Sequence, residues 1–137
     1  MKECADIRIA AAVIVDACGR TLLVRKRGTS AFMQAGGKVA PDETPAEALA
    51  REIREELDCG LAEPPRPLGS FHAPAANEPG RIVEAELFAV ELDGDICPAA
   101  EIEDAIWHDP DDLVSVTLAP LTRNHVLPLV PGLRRNA

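Results

Sequence analysis

Residues 36–57 read GGKVAPDETPAEALAREIREEL, and this stretch decides the architecture. Thr44-Pro45-Ala46-Glu47 has the form of a capping box with proline at the first helical position, so a helix starts near Pro45. Leu49, Ile53 and Leu57 recur at i, i+4 and i+8, helped by Ala46 and Ala50, and form an apolar stripe for a core. Glu47 stands four residues before Arg51, the favoured order for an ion pair. Glu52, Glu55 and Glu56 fall on a neighbouring face, roughly a third of a turn from the stripe. They are expected to be fixed by the core without being buried in it. Like charges at these spacings repel by roughly 0.2–0.5 kcal/mol per pair. A bound cation would offset that repulsion; the plainer reading is a solvated acidic face.

Outward from this helix, the 137 residues suit a single domain spanning 1–137. Hydrophobic residues are 47% and charged residues 27%, the composition of an ordinary soluble globular chain. A formal net charge of −9 argues against a nucleic-acid polymer or an anionic membrane as partner, since both are bound through excess Lys and Arg. A small phosphorylated ligand stays open, because divalent cations can invert the local field. Cys4, Cys18, Cys59 and Cys97 are scattered without zinc-type pairing and read as free thiols in a reducing cytosol. No segment has the pattern of a signal peptide or the length of a membrane span, so a cytoplasmic location is expected.

Residues 7–15 and 21–27 are β-rich, and DACG between them has turn chemistry; a hairpin is expected. Residues 28–43 form a loop rich in Gly and Pro. After the helix, 68–73 and 81–92 read as strands, and AIWH (105–108) as a short one. Asp109-Pro110 signals another short helix, and 118–130 a terminal helix that Pro128 shortens or kinks. Strands, a long central helix, more strands and a final helix give a mixed sheet covered by helices on both faces.

Gly37, Glu43, Arg51, Glu52, Ile53, Glu55 and Glu56 stand in the order and spacing of the Nudix box. With Gly36 and Lys38 completing a GGK, the chain resembles the Nudix hydrolases, the MutT-like family. The box covers about a sixth of the chain, and a looser likeness in strand order extends over most of the rest. The resemblance implies a Nudix-type α/β/α sandwich, with a central mixed β-sheet and the catalytic loop-helix between strands. One position departs: the family's Gly near the box end is Asp58 here, with Gly60 two residues later. Helix termination is therefore expected to shift toward Gly60.

The resemblance also implies a chemistry, namely Mg2+-dependent hydrolysis of a diphosphate linkage, with Mn2+ as substitute. Glu52, Glu55 and Glu56 would hold the metal, Glu52 as ligand or base, and the carbonyl of Gly36 could join them. Arg51 and Glu43 would pair to hold the loop, with Gly37 supporting it. A fourth carboxylate is expected before the late Trp107: Glu101 or Glu103, with Glu78 as a third candidate. Arg25 and Arg27, two apart on a strand, could bind phosphates or form a solvated edge while Lys26 points the other way. A base-stacking ring would have to be Phe32, Phe71 or His72, although residues of this kind in such places are more often core. Asn124 lies where nucleotide-pool-cleaning relatives keep a base-reading Asn, and Pro74 close to a proline of ADP-ribose-cleaving ones. The expected substrate is a nucleoside diphosphate linked to X, most simply a (deoxy)nucleoside triphosphate. The alternatives are an ADP-ribose or nucleotide-sugar pyrophosphatase and a non-catalytic nucleotide-sensing module. Relatives are commonly homodimers.

Overall fold

The apolar run at the start of the chain becomes β1 (Ile7–Val13) in the computed structural model, which describes residues 6–133; Cys4 lies outside them. β1 is apolar on both faces, and the fold gives each face a layer. Ala10, Ala12 and Ile14 turn toward one core, Ala11 and Val13 toward another, the period-two alternation of a strand. A strand buried this way needs a neighbour on each edge. β1 takes β3 (Gly36–Lys38) antiparallel and β6 (Ile82–Ala89) parallel, and β5 (Arg66–Pro74) adds antiparallel to β6. The result is a four-stranded mixed sheet ordered β3-β1-β6-β5.

The expected hairpin therefore closes only at its turn. Asp16 N–H donates to Arg20 O at 2.8 Å and Val15 bridges Thr21. β2 (Thr21–Lys26) then leaves and pairs antiparallel with β8 (Ile102–His108), because both edges of β1 are already taken. β8 starts earlier than the AIWH segment suggested. A two-residue pair, β4 (Gly60–Leu61) with β7 (Leu92–Asp93), completes the strands.

α1 (Pro45–Leu57) covers the first face. Its capping box forms as read: Thr44 Oγ1 accepts from Glu47 N at 3.1 Å, and Glu47 Oε1 accepts from Thr44 N at 2.8 Å. Leu49, Ile53 and Leu57 are fully buried; Ala48 joins them, while Ala50 is exposed. The helix does not run on toward Gly60. Asp58 itself takes the left-handed conformation (φ 54°, ψ 38°) and donates its N–H to Arg54 O, leaving Gly60 free to begin β4.

The second face is covered by the C-terminal segment, where the expected kinked helix is three short pieces. A π-helical turn (Thr122–Val126) leads to a 3-10 turn (Leu127–Leu129) and then α2 (Val130–Leu133). Leu121, Val126 and Val130 pack on Ala11, Val13 and Leu87. The short helix expected after Asp109-Pro110 is absent. Asp109 Oδ1 accepts from Asp111 N at 2.9 Å, and Asp112 Oδ1 accepts from Val114 N and Ser115 N at 3.0 Å each, so side chains satisfy the backbone in turns instead. No described helix is long and apolar enough to cross a membrane.

Candidate active site

Two glycines bring β3 against its neighbours, Gly37 against α1 and Gly36 against β1. A Cβ on Gly37 would overlap the Glu52 carboxylate, lying 2.6 and 2.7 Å from its oxygens, and a Cβ on Gly36 would lie 2.8 Å from Ala11 Cα in the neighbouring strand. Only glycine permits both approaches. The consequence is a direct bond between strand and helix, from Gly36 N–H to Glu56 Oε1 at 3.0 Å.

Glu56 departs from the expectation of an unburied carboxylate: it is 7% exposed. The period explains it, since Glu56 follows Leu49 by seven residues, about 20° short of two full turns. It thus belongs to the edge of the apolar stripe. Burial pushes its carboxyl up to about 7, and the charges of Glu52 and Glu55 push the same way, against the Gly36 N–H and Lys26.

Arg51 is the hub of the neighbouring contacts. Its guanidinium donates to Glu43 at 2.6 and 3.3 Å, to Glu52 Oε2 at 2.7 Å and to Lys38 O at 3.1 Å, with Glu55 at 3.7 Å. The hydrogen bond from Arg51 holds the Glu43 carboxyl below the usual range, and Glu43 in turn raises Arg51. Glu47 is not its partner, being taken by the cap.

Glu52, Glu55, Glu56, Gly36 and Gly37 line a cavity of about 370 Å³, together with Lys26. Glu101 and Glu78 line it too, and Glu78 reaches Lys38 at 3.8 Å. Glu103 does not; it lies 3.9 Å from Arg27. The apolar wall includes Ile7, Ile9, Met33 and Leu121, and Pro74 is at the rim of β5. A larger cavity of about 820 Å³, lined in part by Trp107 and Leu133, lies elsewhere and holds none of these glutamates.

Several expected substrate contacts lie outside this cavity. Arg25 is bound to Asp104 and donates to Thr29 O at 2.8 Å, and its guanidinium stands 5.9 Å from the centre of the Phe32 ring. Arg25 and Arg27 are thus occupied by acids of β8, whereas Lys26 between them lines the cavity, as does Lys38. Phe32 is buried, its backbone bridged to Leu118. The Phe71 ring packs 5.3 Å from His125, and His72 is 3.8 Å from Glu84. Asn124 is exposed; the π-helical turn buries Thr122 and Val126 instead. Thr122 and Gln34 line the cavity and escaped the sequence reading. The available signal was a lone amide in the apolar run Ala31–Ala35 before the glycine pair.

The donor set suits a hard divalent cation. Every charged donor here is a carboxylate, and a buried carboxylate crowded by two others is stabilised by a cation. Among the described residues, no three carboxylate, imidazole or thiol groups close a ligand shell alone. An ion would complete its shell from backbone oxygen, water and substrate, as Mg2+ commonly does. The thiols are elsewhere: Cys18 and Cys97 are exposed, and Cys59 is buried with its Sγ donating to Asp95 O at 2.9 Å.

Comparison with known proteins gives the family and the fold. The family model of the NUDIX domain matches residues 6–130. The chain is 32% identical over 114 residues to the CTP pyrophosphohydrolase of Escherichia coli (strain K12), covering 80% of this chain and 81% of that protein. The solution structure of the E. coli ORF135 protein superposes with a TM-score of 0.72 at 30% identity, covering 93% of this chain and 90% of that one. The MutT protein from Methanosarcina mazei Go1 gives a TM-score of 0.74 over 99% and 100% of the two chains; at 21% identity the likeness is one of fold.

Proposed function

Since the chain belongs to the Nudix hydrolase family, we propose that it hydrolyses a (deoxy)nucleoside triphosphate to the monophosphate and pyrophosphate in a Mg2+-dependent reaction. Nudix pyrophosphohydrolases act on nucleotides and generally need a divalent metal; the triphosphate, the choice of Mg2+ and the residue roles are the proposal. The observation that carries it is one cavity holding Glu52, Glu55, Glu56, Glu101 and Lys26.

In this reading Glu52, Glu55, Glu56 and the Gly36 carbonyl would hold the ion. Bound there, Mg2+ would neutralise phosphate charge and acidify water. Gly36 N–H fixes the direction of Glu56, and Arg51 holds Glu52 and Glu43 in place. Lys26 takes phosphate charge. Glu101 accepts the proton of the attacking water, whose oxygen bonds to phosphorus as the bond to the pyrophosphate oxygen breaks. The leaving pyrophosphate departs with that electron pair.

CTP and dCTP are the substrates to test first, because the E. coli relative is named for CTP. The experiment is turnover of (d)NTPs, ADP-ribose, nucleotide sugars and dinucleoside polyphosphates, with and without Mg2+, with products separated by chromatography. Metal-dependent release of a nucleoside monophosphate and pyrophosphate is expected. Cleavage of ADP-ribose or a nucleotide sugar with no triphosphate turnover would replace this substrate class.

A further inference from the structure

Gln34 and Thr122 are 5% and 0% exposed, yet both line the carboxylate cavity. They meet across the fold: the Thr122 hydroxyl donates to Gln34 Oε1 at 2.9 Å. This bond holds one end of the amide. At the other, Gln34 Nε2 is buried with no hydrogen-bond partner. Leaving such a donor unmet costs about 1–3 kcal/mol, and buried polar groups are nearly always paired. Turning the amide over would orphan its carbonyl instead, so one polar end stays unmet in either orientation.

The position of this orphan indicates what could meet it. Gln34 is two residues before Gly36, whose N–H holds Glu56. Two extended residues span roughly 7 Å, well within the length of one nucleotide whose phosphates lie at the glutamates. No aromatic side chain lines the cavity among the described residues, so hydrogen bonding is left as the means of telling bases apart. Thr122 opens a π-helical turn, a distortion frequent at functional sites.

We propose that Gln34 reads the nucleobase, its Nε2 donating to a ring nitrogen or carbonyl oxygen of the base, with Thr122 as the positioning residue that fixes the amide. This rests on the nucleotide reading above and deepens it. A base presenting a hydrogen-bond acceptor at that point is taken up; one presenting N–H or C–H leaves the donor orphaned and is rejected.

The test is binding without turnover. The full chain with Mg2+ is titrated with α,β-methylene analogues of the four nucleoside triphosphates, in the wild type, in Gln34→Met and in the double variant Gln34→Met/Thr122→Val. The double variant replaces both partners by apolar groups of similar shape, a change that is nearly neutral for folding. It keeps the test alive should Gln34→Met alone fail to fold. The wild type is expected to rank the bases, and the variants to flatten that ranking by about ten- to a hundredfold while still binding. A ranking preserved in the variants would overturn the role of Gln34, as would a wild type that binds all four analogues equally. A wild type that binds none of them would instead sink the nucleotide reading beneath it.

Discussion

The two helical layers of this protein cover the same sheet by different means. α1 has proline, a capping box and a defined left-handed end, and its apolar stripe repeats with the helical period. The C-terminal layer has no side-chain cap on its π-helical or 3-10 turn and changes hydrogen-bond register twice within twelve residues, 122–133. Local chemistry makes α1 a helix before it meets anything; packing of Leu121, Val126 and Val130 shapes the other layer. The carboxylate cavity draws on both. Charge comes from the self-sufficient helix, and the buried hydroxyl of Thr122 from the layer that only the tertiary fold defines.

The largest test of this contrast is Glu56→Gln. On the α1 side, turnover should fall by roughly a thousandfold, read as Mg2+-dependent pyrophosphate release, while circular dichroism stays native. Unchanged turnover would remove Glu56 from the site.

The same residue makes stability depend on pH. The folded carboxyl lies near 7 against an ordinary 4.5. The contribution is therefore complete below about 4.5 and is lost as pH rises through about 7, by on the order of 3 kcal/mol in all. Urea unfolding in EDTA should show this decline, Mg2+ should counter it, and Glu56→Gln should flatten it. A slope that persists in Glu56→Gln would mean other groups carry it.

Next come paired substitutions on the two layers. Val126→Ala, in the layer held by packing, should cost about 2 kcal/mol. Thr44→Ala, in the layer held by its cap, should cost about 1 kcal/mol. Urea midpoints decide between them, and a reversed order would break the distinction drawn here. Smallest is Asp58→Gly. It relieves a left-handed φ of 54° at the cost of glycine's entropy, for a net gain of about 0.5 kcal/mol.

What was legible in the sequence follows the same division. Thr44, Pro45, Leu49, Ile53 and Leu57 act through neighbours within two turns, so helix and box could be read directly. The pairing of β1 with β3 and β6 could not, because edge partners are chosen by the whole sheet. Lys26 lines the cavity while Arg25 and Arg27 do not, as the alternation along the strand allows, and the two arginines are met by acids of β8. A period-two rule separates the faces but has no access to the acids that β8 brings alongside. Asn124 and Thr122 are two residues apart, and the π-helical register, invisible in composition, decides which one turns inward. Gln34 was hidden for another reason: its meaning lies in a missing partner, and a partner 88 positions away at Thr122 for its other end.

The close approach of Gly36 to Ala10 and Ala11 has a thermodynamic consequence for the site as a whole. The peptide that orients Glu56 belongs to the edge strand β3, packed directly on the β1 backbone, so its position is held as long as β1 and β3 stay paired. The entropy of ordering this end of the site is settled during folding rather than at each encounter with a ligand. Amide exchange at Gly36 should accordingly report opening of its bond to Glu56 and of the β1–β3 pairing, and be slower than that of an unbonded loop amide.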